Sequence, residues 1–285
     1  MSPVGPAAVE SRRIRLADVE LHCEIVGEGE PLLLIHGLGS CSEDWQAQVD
    51  HFRQGFRVIT FDLRGHGRSS KPQGSYTIER FARDTAALLG ELNTGPVHVV
   101  GISLGGMVGF QLVVDAPQLV KSLTIVNSGP AVPSETFKQR MPLYIRLAYI
   151  HVLGLRRMAK MLSSRLYPRP EQEDLRRGFI ERLAGNDKRC YVASLRGIFA
   201  GWGVAGHLEE IRCPVLVITA DQDYTPVELK QAYVSRLPNA RMVVVPDSRH
   251  ALPMEKPREF NQALEEFLAP LAGGEAGARS MQAVL

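Results

Sequence analysis

Gly101-Ile102-Ser103-Leu104-Gly105 joins a short apolar run at 97–100 to a helix-like stretch at 106–114. A strand that turns sharply into a helix at a serine strains the serine backbone, and side chains two residues to either side would collide. Glycine at both positions removes the collision. The hydroxyl then stands clear of the backbone beside the first amides of a helix, where negative charge is stabilised. The stretch therefore predicts a nucleophilic serine at a strand-to-helix turn.

The composition is that of an ordinary soluble chain of 285 residues, with 45% hydrophobic and 22% charged residues. A net charge of +2 gives no reason to expect a nucleic-acid partner. No run approaches the roughly 18 apolar residues that span a bilayer, and the first 13 residues lack a signal-peptide core. The four cysteines form no C-x-x-C pair, which predicts free thiols in a reducing compartment. We therefore expect a cytoplasmic protein without a membrane partner, and the oligomeric state stays open.

Predicted strands alternate with predicted helices on both sides of a long interruption. The strands are expected at 13–16, 19–26, 31–35, 57–61, 97–100, 122–126, 215–219 and 242–245. The helices are expected at 77–92, 104–114, 227–237 and 257–271, with another opening at Ser42 as its N-cap. This alternation predicts an α/β fold, a mostly parallel sheet covered by helices on both faces.

No convincing strand occurs from Gly129 to about Leu208, where helix-like segments are broken by prolines and glycines. A helical block inserted after the sixth strand would lie over the carboxyl ends of the strands, where sites form in open α/β sheets. We predict a core at 13–129 and 209–271, a helical cap at 130–208, and flexible termini at 1–12 and 272–285.

A serine hydroxyl needs a base to remove its proton and a third group to orient that base. His250 follows the strand at 242–245 closely, so it would emerge at the same sheet edge as Ser103. His36 also ends a strand, but it precedes Ser103 in the chain. The acid and the histidine are both expected to follow the nucleophilic serine, which argues against His36 as the base. We predict that His250 is the base and that His36 braces a loop.

The acid is expected after the strand at 215–219, where Asp221 and Asp223 compete. Asp221 follows the strand so closely that capping or a salt bridge suits it better. Asp247 is too near His250 in sequence to face it from another loop. We predict Asp223 as the acid.

Two backbone N–H groups are needed to stabilise the oxyanion of a tetrahedral intermediate. One is the amide of Leu104, because it follows the predicted nucleophile. The second should come from the loop after the strand at 31–35, where Gly37-Leu38-Gly39 offers the Leu38 amide.

With these pieces together, the chain resembles the α/β-hydrolase superfamily. Within it, Gly65-His66-Gly67-Arg68-Ser69-Ser70 followed by Tyr76-Thr77-Ile78-Glu79 looks most like the bacterial enol-lactonase, arylesterase and cofactor-free haloperoxidase group. Arg249 departs from the glycine that relatives usually have before the histidine. The matching stretches are 36–39, 62–69, 101–106, Asp223 and 248–250.

The resemblance implies a two-step acyl transfer without a metal or cofactor. Ser103 would attack a carbonyl, His250 would move the proton, Asp223 would hold the imidazole, and water would release the acid. Members of this superfamily that hydrolyse epoxides or haloalkanes use aspartate as the nucleophile. Serine at position 103 therefore argues against both reactions. Small carboxylic esters or lactones are the expected substrates. Carbon–carbon bond hydrolysis, acyl transfer to another acceptor and a catalytically silent binding protein stay as alternatives.

The predicted cap is basic, since residues 131–212 contain 15 Lys and Arg against 8 Asp and Glu. The ordinary interpretation is a solvated helical surface. The alternative is that one or two arginines meet a carboxylate or phosphate of the substrate, with Arg196 as a candidate. Candidate apolar contacts for an acyl group include Tyr144, Phe199 and Trp202.

Overall fold

Eight strands form a single sheet in this computed structural model, which describes residues 9–272. The spatial order is β1-β2-β4-β3-β5-β6-β7-β8. The first two pairings, β1 with β2 and β2 with β4, are antiparallel, and every later pairing is parallel. The strands are β1 Glu10–Arg15, β2 Glu20–Val26, β3 Glu30–Ile35, β4 Phe56–Phe61, β5 Val97–Ile102, β6 Val120–Val126, β7 Val215–Ala220 and β8 Ala240–Val245.

Helices cover both faces of this sheet, as the alternation of the sequence predicts. Successive side chains of a strand point to opposite faces. Leu33 and Ile35 of β3 therefore pack with the helices at 78–91 and 104–115, whereas Leu32 and Leu34 pack with the helices at 46–52 and 257–268. The helices are α1 Gln46–Phe52, α2 Ile78–Glu91, α3 Leu104–Asp115, α4 Phe137–Leu166, α5 Glu173–Ala184, α6 Lys188–Ile198, α7 Val227–Val234, α8 Leu252–Glu255 and α9 Pro257–Leu268.

Two local predictions are wrong. Residues 10–12, placed in the flexible N-terminal arm, belong to β1, because they pair with residues 23–25 of β2. Residues 1–8 of the predicted arm lie outside the described residues, as do residues 273–285 of the predicted tail. Ser42 is not a helix N-cap: it begins a short 3-10 helix, and its backbone amide donates to the Asp62 carboxylate at 2.7 Å.

Three helices, α4 to α6, lie between β6 and β7, in the segment 130–208, which we call the cap segment. Thr136 and Gln139 form a capping box at the start of α4, and the helix bends at Gly154, where φ is 77°. The cap segment has an apolar cluster of its own, and it contacts loops and the short helix α8 near the strand ends of the core. These contacts join Asn186 to Gly39, Gln172 to Glu255, and Arg189 to Lys71 and Pro72.

The parallel strands bring four chain segments to one edge of the sheet. β3 ends before the loop at 36–40, β5 ends before Ser103, β7 ends before Asp221, and β8 ends before Pro246. Within residues 9–272, no helix combines the length and apolar character needed to cross a bilayer.

Candidate active site

Ser103 has a strained backbone, with φ 54° and ψ −115°. Such a conformation costs on the order of 1–3 kcal/mol for a residue with a Cβ atom, so the surroundings must hold it. Its amide donates to Val126 O at 3.0 Å, and its carbonyl accepts from the Ser128 hydroxyl at 2.7 Å. Its carbonyl also accepts from Met107 N at 3.1 Å, in the first turn of α3. The predicted strand-to-helix turn is present.

The glycines that flank Ser103 are needed by the packing. A Cβ atom on Gly101 would lie 2.2 Å from Gly105 O, and one on Gly105 would lie 2.1 Å from Ile35 O. Neither backbone oxygen can give way as a side chain would. Strand β5 and helix α3 can therefore meet this closely only with glycine at 101, and α3 can approach the end of β3 this closely only with glycine at 105.

His250 and Asp223 form a hydrogen bond of 2.6 Å between Nδ1 and Oδ1. The Asp223 side chain is 1% exposed and that of His250 is 19% exposed. The Asp223 carboxylate accepts a hydrogen bond from Nδ1–H of His250. In a neutral imidazole, the lone pair of Nε2 is then free to take a proton. Although burial raises the pKa of Asp223, the hydrogen bond from His250 and the ammonium of Lys230 hold it well below its usual range.

The Ser103 hydroxyl itself has no hydrogen-bond partner among residues 9–272. Nucleophile-to-base hydrogen bonds are often loose without substrate, so geometry of this kind does not remove the candidate. Ser103 and His250 are nevertheless held around one strand end. The Ser103 amide bonds to the last residue of β6, and the next residue, Asn127, bonds to the carbonyl of His250.

Asn127 is a structural link that the sequence did not reveal. Its Nδ2 donates to Arg249 O at 3.2 Å and to His250 O at 3.0 Å, and its Oδ1 accepts from Ala220 N at 2.9 Å. The Asn127 backbone has φ 44°, a region that asparagine tolerates better than most residues. The position after β6 is the only sequence signal that could have drawn attention to it.

Asp221 and Asp247 support the loop that carries His250 and do not contact its ring. Asp221 accepts from the amides of Asp247 and Ser248, each at 3.0 Å. Against the effect of partial burial, these amides hold the pKa of Asp221 below its ordinary value. Asp247 pairs with Arg169 of the cap segment. Of the three aspartates considered, Asp223 is the one in contact with the histidine.

Two further residues contact the pair, and sequence reasoning missed both. The buried ammonium of Lys230, from α7, lies 2.5 Å from Asp223 Oδ2. The ring of Tyr224 stacks on the His250 ring, with centroids 4.3 Å apart and an interplanar angle of 29°. A lysine seven positions after an acid gives no pattern in sequence, because the contact depends on how α7 packs.

The loop after β3 lies against Ser103, as the oxyanion prediction requires. A Cβ atom on Gly37 would be 3.5 Å from the Cβ of Ser103. The amides of Leu38 and Leu104 have no acceptor within the described residues, so both remain available as donors. His36 braces this loop, since its Nε2 accepts from Leu63 N at 3.0 Å and its Nδ1 bonds to Gly37 O. Burial lowers the pKa of His36, which favours this neutral form.

The four predicted pocket residues of the cap segment lie in different environments. Trp202 is buried in the main core, and its indole donates to Gln111 Oε1 at 2.7 Å. Phe199 packs between the main core and the cap cluster. Tyr144 is exposed and lies 5.6 Å from the Phe137 ring, and Arg196 is exposed without a partner in the described part of the chain. Contact of these four with a substrate stays a prediction.

The described residues contain no group of three or more histidine, cysteine or acidic side chains that could hold a metal ion. Cys41 lies in the loop near the proposed oxyanion donors, but burial raises its pKa to about 12. A thiol with such a pKa stays protonated at neutral pH and is a poor nucleophile. Ser103 is therefore the better candidate nucleophile in this region.

The fold and the strand-end placement of these residues are those of a hydrolase built on a mostly parallel sheet. The model of the alpha/beta hydrolase family matches residues 32–263, and the chain belongs to that family. The resemblance of the sequence to the α/β-hydrolase superfamily is therefore confirmed.

Individual relatives agree with the family. A (E)-2-((N-methylformamido)methylene)succinate hydrolase from Acinetobacter baylyi is 26% identical over 254 residues, which cover 85% of this chain and 91% of the relative. A thermophilic esterase from Thermogutta terrifontis, solved with malate bound, superposes with a TM-score of 0.83 at 26% identity, covering 93% of this chain and 100% of that one. The enol-lactonase of Burkholderia xenovorans shares the fold, with a TM-score of 0.81 at 24% identity and coverage of 88% and 96%. These neighbours include the predicted group, and the chain is an enzyme of the hydrolase class.

Proposed function

We propose that this protein is a serine hydrolase that cleaves small carboxylic esters or lactones through an acyl-enzyme intermediate. The observation that carries the proposal is the 2.6 Å hydrogen bond from His250 to the buried Asp223, at the same edge of the sheet as a serine held in a strained turn. A histidine oriented in this way presents Nε2 as a base, and the turn presents the hydroxyl as a nucleophile. An esterase and an enol-lactonase among the structural neighbours agree with this chemistry.

In the first half-reaction, Ser103 Oγ attacks the acyl carbon and its proton passes to His250 Nε2. The carbonyl oxygen becomes negative and accepts hydrogen bonds from the amides of Leu38 and Leu104, each worth about 3 kcal/mol or more of barrier lowering. The carbon–oxygen bond to the leaving group then breaks, and Nε2 returns the proton to the departing alcohol. Throughout, Asp223 holds the imidazole and stabilises its protonated form.

In the second half-reaction, water attacks the acyl-enzyme and gives its proton to Nε2. The acid leaves as the bond to Ser103 Oγ breaks, and the serine recovers its proton. No metal or cofactor takes part. We further propose that the cap segment shapes the acyl pocket, and that the protein works in the cytoplasm on small molecules, without nucleic acid or a membrane as partner. The free state of the four cysteines supports this compartment.

A matched panel tests the proposal: esters, lactones and thioesters of equal acyl length, a vinylogous diketone, and an ester assay with a competing alcohol. We expect the wild type to hydrolyse esters or lactones fastest and Ser103→Ala to hydrolyse none of them above background. Preferred cleavage of the diketone would instead assign carbon–carbon hydrolysis, and a transferred acyl group would assign acyl transfer. A wild type that turns over no substrate would favour a binding protein.

A further inference from the structure

Arg146 lies in α4 of the cap segment and is partly buried. One of its terminal nitrogens donates to the Tyr191 hydroxyl, and its Cζ lies 5.5 Å from the centre of the Tyr191 ring. The Arg146 Nε–H is buried and has no partner among the described residues. A hydroxyl and a ring face interact favourably with a guanidinium, but they do not neutralise its charge.

The other partly buried arginines of α4 to α6 and their connections all have a carboxylate. Arg169 pairs with Asp247, Arg176 with Glu173, and Arg182 with Asp44. Within residues 9–272, Arg146 has no acidic side chain in ion-pair contact. A cation withdrawn from water without a counter-ion is costly, so such residues usually meet a charge supplied by something else.

A chain of close contacts connects Arg146 to Ser103. The ring of Tyr191, its hydrogen-bond partner, packs on the loop after β3: a Cβ atom on Gly39 would lie 2.8 Å from Tyr191 Cε2. The same loop contacts Ser103 through Gly37, whose Cβ position is 3.5 Å from that of Ser103. Arg146 is therefore separated from the candidate nucleophile by Tyr191 and one loop.

The charge of this arginine also influences the side of the site that carries His250. Tyr224 stacks on the His250 ring. Desolvation raises the pKa of Tyr224 to about 12, and the positive charge of Arg146 opposes that rise. The positive charge of Arg146 therefore acts on two tyrosines, Tyr191 against the loop after β3 and Tyr224 against the histidine.

We propose that Arg146 binds a carboxylate of the substrate, so that the natural ester or lactone is an anion. The inference rests on the hydrolase function proposed above and names its substrate class. A planar guanidinium with several free N–H groups suits a carboxylate, which it can hold with two parallel hydrogen bonds. The cap arginine singled out from the sequence, Arg196, is exposed and less suited, because water already solvates it.

The test compares 4-nitrophenyl hemisuccinate with 4-nitrophenyl butyrate, which have similar acyl lengths and differ in charge. We expect Arg146→Met to lower the ratio of kcat/KM for the charged ester over the neutral ester by roughly 10- to 100-fold, the value of a charged hydrogen bond. Arg146→Lys should recover part of the ratio. Arg157→Met removes an exposed arginine of the same helix and should leave the ratio at the wild-type value.

An equal loss of both esters in Arg146→Met would overturn the inference, since it would mean that Arg146 only positions Tyr191 and the loop. A charge preference lost in Arg196→Met instead would overturn it as well. If the wild type hydrolyses neither these esters nor any ester or lactone of the matched panel, the proposed function fails separately. Calorimetric titration of 4-nitrophenyl hemisuccinate into Ser103→Ala, with and without Arg146→Met, then decides the inference: tighter binding with the arginine supports it, and equal binding contradicts it.

Discussion

The Lys230 ammonium lies 2.5 Å from Asp223 Oδ2, and both side chains are buried, at 2% and 1% exposure. The other oxygen of the same carboxylate accepts from His250. One buried anion therefore serves a cation from α7 and the ring of the candidate base, and it also accepts from the Thr225 hydroxyl at 3.0 Å. The lysine also donates to Thr225 O at 3.0 Å, which fixes the start of the segment that leads into α7.

Replacing this lysine should leave a buried carboxylate without its cation. We expect Lys230→Met to lower the free energy of unfolding by about 3–5 kcal/mol, the usual result of removing one partner of a buried pair. Urea denaturation measures the change. The control is Arg236→Met, which removes an exposed partner of Glu209 and should change stability little. Equal changes in the free energy of unfolding for the two substitutions would show that the buried pair stabilises the fold no more than the exposed pair does.

The two aspartates after β7 should differ in what they contribute. Asp223→Asn replaces the acceptor at His250 Nδ1 with a group that can present N–H, which favours the wrong tautomer. We expect kcat/KM for a neutral ester to fall about a thousandfold or more. Asp221→Asn loosens the amides of Asp247 and Ser248 and should lower stability, with a loss of activity below about tenfold. The opposite ranking would move the acid assignment to Asp221.

Glycines at the turn and in a helix should respond oppositely to alanine. Gly101→Ala places a Cβ atom 2.2 Å from a backbone oxygen, so we expect a loss of about 2–4 kcal/mol in unfolding free energy, together with lost activity. Gly90 lies in α2 with open space around its Cβ position. Gly90→Ala should raise stability by about 0.5–1 kcal/mol. A tolerated Gly101→Ala would mean that the turn relaxes easily.

Stability should fall with acid in a way that depends on His66. This residue is fully buried, and burial, assisted by His36, lowers its pKa to about 3. Below pH 6.5 the unfolded chain binds a proton at this histidine and the folded chain does not, so unfolding is favoured as pH falls toward 3. We expect His66→Gln to reduce the slope of unfolding free energy against pH by up to about 1.4 kcal/mol per pH unit in that window. An unchanged slope would mean that a group other than His66 takes up the proton on unfolding.

The sequence predicted the parts of this molecule that depend on local pattern. Alternating apolar segments indicated the strands and helices, and the glycines around Ser103 indicated the turn. The pairing of Asp223 with His250 followed from strand order. Residues whose importance comes from packing between distant segments could not be predicted. Asn127 is significant because β6 ends beside the His250 loop. Lys230 is significant because the packing of α7 brings its ammonium group into contact with Asp223.

Arginines of the cap segment show the same limit. The sequence offers Arg196 as a candidate for meeting an anionic group of the substrate. In the fold, Arg196 is exposed, whereas Arg146 is half-buried against Tyr191. Charge count alone does not separate a solvated arginine from one that lacks a counter-ion, because the difference depends on how α4 and α6 pack.

Labelling with a fluorophosphonate tests most directly whether Ser103 is an activated nucleophile. At neutral pH the wild type should take up one equivalent of label, which peptide mass spectrometry should locate at Ser103. His250→Gln should react at least about a hundredfold more slowly, because its base is missing. We expect rapid labelling of the folded wild type and none of Ser103→Ala. A folded wild type whose Ser103 stays unlabelled, or labelling at an unchanged rate in His250→Gln, would show that Ser103 is not a nucleophile activated by this histidine.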